Sequence, residues 1–434
     1  MKPTRRAEFL LVCNLGTAAL ATAYPAFWWL WAVVLVLCLA LVLVDAQRTR
    51  RNPLPTVTRS VAAVLPVAVW TQVRYRLENH GETPLSLTFR DIPPDGSEHR
   101  HMEGAMTLQP HAWHEGAYQM RPLQRGDLHF AACLLVVDSP WRLWKRVARI
   151  PLPEEVRVYP NFQEVAHYAL LATNQRLRSF GVHRRRRRGE GREFHQMREY
   201  VPGDPLRQID WKASSRMRKL IAREYQDERN QQVVFLMDCG QSMRAQDDML
   251  SHFDHALNAV LLMTHVALKH GDAVGLMTFS GAHRRLAPRK GAPQLNLILN
   301  NVYDIQPSLQ TSDFEHIAED VLRFVRKRSL IILVTNLRDE DNDELQQAVQ
   351  LLRRKHLVLL ASMREKALDA VAKEPVMTFE DSLRLAATYH YREARQAAVD
   401  NLRGRGILCL DTTPPDLPIA MINNYLDIKS KGLL

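Results

Sequence analysis

The pattern of apolar and polar positions changes three times along the chain, and each stretch predicts a different kind of structure. Phe9–Ala23 is apolar apart from Asn14 and two threonines, and Ala26–Val44 carries no charge. A helix that crosses a bilayer needs roughly 17–25 apolar residues, a length that the second run meets and the first approaches. Tyr24 and Pro25 leave room for only a tight turn between the runs. Residues 1–50 are therefore predicted to form a transmembrane helical hairpin.

Positive charge on both sides of the two apolar runs predicts their orientation. The flanking basic residues are Lys2, Arg5 and Arg6 before the first run and Arg48, Arg50 and Arg51 after the second. Because segments rich in Lys and Arg stay in the cytoplasm, we expect both soluble flanks to face the cytoplasm. Two alternatives stay open: a cleaved signal peptide with Lys2–Arg6 as its basic region, and a single span with the soluble domains outside.

A pattern with a period of two replaces the apolar runs between residues 55 and 160. From Val67 to Leu77 the residues alternate as in a strand with two different faces. Asn79–Glu82 provides a turn before the next alternation, and Arg125–Asp127 provides another. Several short strands separated by such turns predict an antiparallel β-sandwich.

Residues 161–230 contain a strongly basic loop and are predicted to form a linker. The run of consecutive arginines consists of Arg184, Arg185, Arg186, Arg187 and Arg188. Glycines bracket this run, which favours a loop over a helix. RNA, anionic lipid headgroups or an acidic protein face would each suit such a charge. We do not expect nucleic-acid binding, because the chain lacks a recognition fold and aromatic stacking groups beside the arginines.

The motif YVPGDPLRQIDWK, Tyr200–Lys212, follows the basic loop. Pro202 and Gly203 favour a turn, Asp204 is a suitable helix N-cap, and a proline at the first helical position costs no hydrogen bond. The charged residues of the expected short helix, which has Trp211 as its apolar anchor, are Arg207, Asp210, Lys212 and Arg216. No nucleophile is paired with a base here. An ion-pair network that docks this helix on the next domain is therefore favoured over an active site.

Between residues 231 and 434, continuous apolar runs alternate with helical patterns. Such runs are typical of strands that are buried on both faces of a parallel sheet. The expected strands are Val233–Met237, Ala273–Phe279, Leu330–Thr335 and Leu357–Ser362, and the expected helices are at about 249–270, 314–325 and 343–354. This alternation predicts a doubly wound α/β sheet with its ligand site at the carboxyl ends of the strands.

The first of these strands ends in DCGQSM, Asp238–Met243, which resembles the first motif of the metal-ion-dependent adhesion site in von Willebrand factor A domains. The motif Tyr200–Lys212, the step Arg223–Tyr225 and the tail Asn424–Leu426 resemble the bacterial membrane proteins called domain of unknown function fifty-eight. Two N-terminal spans and a β domain ahead of the motif are similar as well. The resemblance implies a place in the bacterial inner membrane and a MoxR-type AAA+ ATPase as a cytoplasmic partner.

The resemblance to the adhesion site also implies a set of metal ligands. These are Asp238, Ser242, Thr311 or Ser312, and Asn336. Gly240 stands where the site usually has a serine, and Asn336 stands where it usually has an aspartate. Because Mg²⁺ prefers charged oxygen ligands, we expect it to bind weakly, or only together with a carboxylate from a partner. Asp238→Ala is then expected to abolish partner binding and to leave the fold intact.

Composition and the remaining motifs narrow the function. The five cysteines show no paired spacing, which argues against a disulfide framework and a zinc site. The sequence contains no Walker phosphate loop, HExxH, GxSxG or CxxC motif, and its net charge of +11 favours anionic partners. We therefore expect a membrane-anchored protein-interaction adaptor and no enzyme. The alternatives are an RNA- or anionic-lipid-binding membrane protein that uses the arginine run, and an outward-facing accessory of an envelope hydrolase.

Overall fold

The structure is a computed structural model that describes residues 1–24, 28–161, 193–201, 204, 206–226, 231–247, 249–337 and 342–433. The chain divides into two compact units, Met1–Tyr159 and Pro160–Leu434. Helices and several β-sheets occur together, which confirms the mixed α/β class expected from the sequence.

Two helices open the first unit: α1 spans Arg5–Ala23 and α2 spans Trp28–Arg51. Of the helices that the structure describes, α2 alone is long and apolar enough to cross a membrane. Large apolar side chains along α2, such as Val36 and Leu37, are exposed. That exposure suits a helix surrounded by lipid better than a helix in a protein core.

The described part of the first unit also contains two β-sheets. The strands are β1 (Lys2–Pro3), β2 (Thr56–Ser60), β3 (Val64–Pro66), β4 (Thr71–Glu78), β5 (Leu85–Asp91), β6 (Ser97–Arg100), β7 (Glu103–Leu108), β8 (Trp113–Pro122), β9 (Gly126–Asp138) and β10 (Trp144–Tyr159). One sheet has the order β1-β10-β9-β5-β7 with β3 beside β10, and the other has the order β2-β4-β8-β6. The pairs are antiparallel except that of β3 with β10.

Burial along β4 follows the alternation in the sequence. Val73, Tyr75 and Leu77 are buried, and the residues between them are more exposed. The strand starts at Thr71, later than the alternation suggests, because the chain turns at Ala68 with a φ of 61°. The turn keeps the beginning of the alternating stretch out of the strand.

A buried ion pair links the two sheets. Arg59 of β2 donates from Nε to Asp91 Oδ2 of β5 at 2.9 Å, and the Tyr118 hydroxyl of β8 donates to the same oxygen at 2.7 Å. Burial, followed by the negative charge of Asp91, raises the pKa of Tyr118. The tyrosine therefore remains a neutral donor to the carboxylate over the physiological pH range.

The two helices are joined to the β domain at the loop Ser139–Trp144 and at the start of β10, where Arg146 donates to the Thr49 carbonyl at 3.2 Å. Thr4, just before α1, donates its backbone N–H to a carbonyl of this loop at 2.9 Å. Asp45, near the end of α2, is buried and accepts from the Ser139 hydroxyl at 2.5 Å and from the Trp141 N–H at 3.2 Å. The start of α1 and the end of α2 are thus held by the same loop.

The second unit is built around a large sheet with the order β17-β16-β13-β18-β19-β20. The strands of this unit are β11 (Glu193–Glu199), β12 (Ile221–Gln226), β13 (Gln232–Asp238), β14 (Gln246–Asp247), β15 (Leu250–Ser251), β16 (Ala273–Phe279), β17 (Arg285–Arg289), β18 (Leu330–Thr335), β19 (Leu357–Met363) and β20 (Leu408–Thr412). In the large sheet the pairs are parallel except that of β16 with β17.

Helices cover both faces of this sheet. The helices of the second unit are α3 (Trp211–Met217), α4 (His252–Lys269), α5 (Pro293–Val302), α6 (Phe314–Phe324), α7 (Asn342–Arg353), α8 (Lys366–Val371), α9 (Phe379–Gly404) and α10 (Leu417–Ser430). Phe235 belongs to an apolar cluster with α4, α5 and α10, and its neighbour Leu236 belongs to a second cluster with α6, α7 and α9. Because successive strand residues point to opposite faces, β13 is buried on both sides.

The tail motif Asn424–Leu426 lies in α10 and fixes this helix to the start of β16. The buried Tyr425 hydroxyl donates to Asp272 Oδ2, and Lys429 Nζ donates to the same oxygen at 2.7 Å. Burial, followed by the hydrogen bond to Asp272, raises the pKa of Tyr425. The role of this motif is therefore a packing role at the amino ends of the strands.

We predict that Asp45→Ala weakens the connection between α2 and the β domain. The change leaves the Ser139 hydroxyl and the Trp141 N–H without their acceptor, which should lower the free energy of unfolding by about 1–3 kcal/mol. Denaturation of the full chain in detergent measures this loss, with exposed Asp95→Ala as control. Equal stability of the two variants would contradict the role of Asp45.

Candidate functional site

A buried carboxylate lies at the carboxyl end of β13. Asp238 has an exposed fraction of 0%, and its Oδ1 accepts from the Gly240 N–H at 2.8 Å. Its Oδ2 accepts from three hydroxyls: those of Ser242 at 3.2 Å, Ser312 at 2.7 Å and Thr335 at 2.7 Å. Together with Asn336, which follows Thr335, these residues form what we call the carboxyl-edge cluster: Asp238, Ser242, Ser312, Thr335 and Asn336.

The topology of the sheet explains why these residues meet. In chain order the parallel strands are arranged second, first, third, fourth and fifth, so the direction of strand addition reverses between β13 and β18. The connections from these two strands leave in opposite directions and open a crevice at their carboxyl ends. Asp238 ends β13, and Thr335 ends β18. The cluster therefore lies at the place where open α/β sheets bind ligands.

A second buried charge, Arg395 of α9, lies on the far side of Asn336. Its Nη1 donates to Asn336 Oδ1 at 3.1 Å, and its Nη2 donates to Asp411 Oδ1 at 2.8 Å. Asn336 Nδ2 in turn donates to Glu365 Oε1 at 2.8 Å. Arg395 also donates to the Leu337 carbonyl, just after β18, and to the Met363 carbonyl at the end of β19. The side chain of Asn336 is thus fixed between a cation and a carboxylate.

The structure brings together most of the residues expected from the sequence. The hydroxyls of Ser242 and Ser312 contact Asp238 directly, and Asn336 Nδ2 reaches the Ser242 carbonyl at 3.4 Å. Of the two candidates Thr311 and Ser312, Ser312 is therefore the one that contacts Asp238. Thr311 is exposed. Sequence reasoning missed Thr335, although it immediately precedes Asn336 at the end of an apolar run. It also missed Glu365, Arg395 and Asp411, which have no local motif and reach the site only through the fold.

The packing around Gly240 explains the departure from the usual serine. A Cβ atom at this position would lie 2.8 Å from the Gln310 carbonyl oxygen and 2.9 Å from Ser312 Oγ. The contact is held in place because the Gln241 N–H donates to the same carbonyl at 2.9 Å. A serine side chain would have to displace the Gln310 backbone, so there is no room at this position for the hydroxyl of the usual motif.

These residues do not fit a magnesium ion that is held by this chain alone. Asp238 is the one carboxylate in the carboxyl-edge cluster, and the oxygen of Asn336 accepts from the Arg395 guanidinium. A divalent cation beside Asn336 would be repelled by that guanidinium in a poorly solvated site. Among the described residues, no group of three or more His, Cys, Asp and Glu side chains is arranged to hold a metal.

The four hydrogen bonds to Asp238 also correct an expectation about its substitution. Asp238→Ala was expected to leave the fold intact, but it would leave one N–H and three buried hydroxyls without their acceptor. Each unpaired buried donor costs on the order of 1 kcal/mol or more. The alanine variant therefore tests stability and binding together and cannot isolate a contact with a partner.

The described residues of the motif Tyr200–Lys212 form a small folded segment with β11 and β12. Asp210, and not Asp204, caps a helix, because its Oδ1 accepts from the Ala213 N–H at 3.0 Å at the start of α3. Asp204 accepts from both Nη atoms of Arg198 at 2.8 Å and from the Val201 N–H at 3.1 Å. Hydrogen bonds from Arg198 hold the pKa of Asp204 below its ordinary value.

The expected ion pairs connect parts of this segment to each other. Asp210 Oδ2 accepts from Arg223 Nε of β12 at 2.9 Å. The hydrogen bond from Ala213, followed by that from Arg223, lowers the pKa of Asp210. Pro202, Gly203 and residue 205 lie outside the described residues, as does the side chain of Arg207. The docking of this segment on the following domain stays a prediction.

Trp211 does not anchor α3 in a core. Its exposed fraction is 67%, and Lys212 and Arg216 are exposed as well. The buried positions of this short helix are the cap Asp210 and Ser214, whose hydroxyl donates to the Asp210 carbonyl at 2.7 Å. The Trp211 side chain therefore faces solvent and not the buried side of the segment.

The arginine run Arg184–Arg188 lies outside the residues that the structure describes. The predictions made for it from the sequence, namely a loop that meets RNA, lipid or an acidic protein, stay predictions.

Comparisons with known proteins agree with the resemblance found in the sequence. Residues 196–402 match the family described as Protein of unknown function DUF58. The chain is 24% identical over 217 residues to the Uncharacterized protein YeaD of Bacillus subtilis (strain 168), a match that covers 47% of this chain and 50% of YeaD. The chain thus spans about half the length of that curated relative. Both matches support the family called domain of unknown function fifty-eight.

Two solved structures share local similarity with the chain. A PapD-like domain of human CEP192 matches 23% of this chain and 84% of its own, with a TM-score of 0.17 and 15% identity. A Salmonella alpha-2-macroglobulin matches 24% of this chain and 7% of its own, with a TM-score of 0.21 and 11% identity. These scores are too low to support an argument about fold or function.

We predict that Gly240→Ser, which restores the usual adhesion-site residue, destabilises the chain and creates no metal site. The added side chain overlaps the Gln310 carbonyl and Ser312 Oγ, and such overpacking costs about 1–3 kcal/mol. Gly404→Ser at the end of α9 is the matched control, because a Cβ there meets nothing within 4 Å. Thermal denaturation with Mg²⁺ and with EDTA measures both effects. A melting temperature of Gly240→Ser that rises with Mg²⁺ would contradict our conclusion on the metal.

Proposed function

We propose that the chain is a membrane-anchored adaptor that binds a protein partner at the carboxyl-edge cluster, and that it is not an enzyme. The observation that carries the proposal is the position of Asp238 and Thr335 at the reversal between β13 and β18. This is the crevice in which open α/β sheets bind their ligands. The strand order and the site at this edge support a von Willebrand factor A-like fold for the second unit.

The loop 308–312 offers a surface for a partner beside the cluster. Leu309 has an exposed fraction of 71%, which is high for a large apolar side chain, and Thr311 is exposed next to it. The backbone of this loop is fixed, since the Ser308 N–H donates to the Cys239 carbonyl at 2.7 Å. An apolar side chain on a rigid loop loses little entropy on binding and is well suited to enter a pocket on another protein.

The proposed partner is a MoxR-type AAA+ ATPase, as the family resemblance implies. In this proposal the contact needs no metal ion, because the polar groups of the cluster are already satisfied by one another. Leu309 supplies apolar contact, and the hydroxyl and carbonyl groups around it supply hydrogen bonds at the rim.

The proposed topology is a two-span hairpin in the bacterial inner membrane with both soluble units in the cytoplasm. The loop Ser139–Trp144 holds the start of α1 and the end of α2, which supports a common side for both helix ends. The basic residues on both flanks favour the cytoplasmic side. A membrane span at α2 alone is supported by length and composition, and the second span at α1 belongs to the proposal.

Two alternatives from the sequence make different predictions. An RNA-binding membrane protein that uses Arg184–Arg188 would bind with an affinity that falls steeply with salt and collapses when the arginines are neutralised. An accessory of an envelope hydrolase would have its soluble units outside the membrane, where protease added to spheroplasts reaches them. The carboxyl-edge cluster supports a protein-binding role over RNA binding, and the basic flanks of the two apolar runs support the cytoplasmic side over an outward-facing accessory.

We predict that Leu309→Arg prevents capture of the ATPase without unfolding the chain. A charged side chain in an apolar contact should reduce recovery from native membranes by at least about tenfold, which corresponds to roughly 1.4 kcal/mol of binding free energy. Recovery is compared in fixed nucleotide states, and both variants must keep the parent's melting temperature. The control is Leu297→Arg in α5, because Leu297 is also an exposed leucine. It lies one turn after Gln294, whose side chain donates to a carbonyl near the amino end of β16 and so marks the edge of the sheet opposite the carboxyl-edge cluster. Equal recovery with the two variants would refute the proposed contact.

The topology makes a separate prediction. A reporter that is active only in the periplasm should stay inactive when it is fused after Leu434, because the second unit is proposed to be cytoplasmic. The same reporter inserted after Tyr24, between the two helices, should be active and serves as the control. Activity of the fusion at Leu434 would show that the hairpin topology is wrong.

A further inference from the structure

The segment that contains Trp211 is firmly folded, yet its large apolar side chains are exposed. The exposed fractions are 71% for Leu206, 67% for Trp211 and 63% for Met217. Beneath them, the Asp210 N–H donates to the Ile221 carbonyl at 2.8 Å, and the Ile221 N–H donates to Ser214 Oγ at 2.8 Å. These apolar side chains are therefore exposed on the surface of a folded segment. Large apolar side chains that are exposed within one short folded segment mark an interaction site.

The charge around these apolar side chains is mostly positive. We define the Trp211 surface by its exposed residues Leu206, Trp211, Lys212, Arg216, Met217, Arg218, Lys219 and Leu220. The sequence from Trp211 to Leu220 contains four basic residues and no acidic residue. Of the neighbouring carboxylates, Asp204 and Asp210 are paired with Arg198 and Arg223, and the exposed Glu199 lies 3.9 Å from Lys219. A partner of the Trp211 surface must therefore accept apolar side chains and carry negative charge.

We propose that the Trp211 surface binds the anionic headgroup region of the bilayer in which the chain is anchored. Segments that lie at the membrane–water interface combine tryptophan and leucine with lysine and arginine, as the Trp211 surface does. The basic residues bind the anionic headgroups, and the tryptophan enters the boundary between headgroups and acyl chains. This inference rests on the membrane anchoring in the proposed function, but it does not depend on the carboxyl-edge cluster or on the ATPase.

The anchoring helix favours lipid over an acidic protein as the partner. A chain that is held in a bilayer by α2 meets that bilayer at a high effective concentration, so even a weak lipid contact is occupied. An acidic protein would have to be found by diffusion. The bilayer also presents an apolar layer directly beneath a negative one, which matches both features of the Trp211 surface.

The experiment uses the full chain in nanodiscs of phosphatidylcholine, with or without phosphatidylglycerol. Trypsin cleavage after Lys212, Arg216, Arg218 and Lys219 is followed by mass spectrometry and compared with cleavage after the exposed Lys431. We expect phosphatidylglycerol to slow cleavage at the four sites about tenfold relative to Lys431 and high salt to remove most of this protection, because exposed charges are screened. Equal cleavage in both lipids would overturn the proposal.

Two matched variants separate the lipid contact from folding. Trp211→Ala should lose the protection and keep the melting temperature, because the exposed side chain packs against little protein. Phe379→Ala, at an aromatic residue with a similar exposure at the start of α9, should keep both the protection and the melting temperature. Protection that survives Trp211→Ala, or that appears in both lipids only after the ATPase is added, would refute the lipid contact and assign the surface to a protein.

The test also distinguishes this inference from the proposed function. A chain that enters the nanodiscs but shows no lipid-dependent protection overturns the inference and leaves the membrane-anchored adaptor in place. A chain that fails to enter the nanodiscs overturns the anchoring and, with it, the lipid contact.

Discussion

The carboxyl edge of the second unit depends on one buried carboxylate. Asp238 brings together its own loop, the loop 308–312 and the end of β18, because Ser242, Ser312 and Thr335 all donate to the same oxygen. A carboxylate that is buried away from solvent is stable only when its oxygens accept hydrogen bonds from the protein. The requirement to satisfy Asp238 therefore fixes the conformation of the loops at this edge, and with it the position of Leu309.

The second charge at this edge is neutralised by a separate set of groups. Arg395 pairs with Asp411 and reaches Asn336, so the cation and the Asp238 carboxylate lie on either side of an amide and do not pair directly. Asn336 at this position is a consequence of Arg395, since its oxygen accepts from the guanidinium while its nitrogen donates to Glu365. A cluster balanced in this way gains little from a metal ion, which is why we assign recognition to the exposed loop beside it.

The sequence was most informative where burial is continuous and least informative where a role depends on distant contacts. The apolar runs located β13, β16, β18 and β19 to within a residue or two, and their ends located Asp238 and Asn336. β20 and α9 were missed, because β20 is only half buried and α9 is rich in charged residues. The sequence predicted that Trp211 anchors α3 in a core, but the side chain is exposed. A helix as short as α3 has too few turns to define an apolar face in the sequence pattern.

The joint between α2 and the β domain has a mechanical consequence. Asp45 lies within the helix and is bonded to the loop that begins β10, so the end of the helix and the sheet move as one body. A helix tilts when the hydrocarbon thickness around it changes. In the proposed membrane span, a tilt of α2 would therefore rotate the two β-sheets of the first unit together with the helix. The angle between the β-sheets of the first unit and the membrane plane would then change with bilayer thickness.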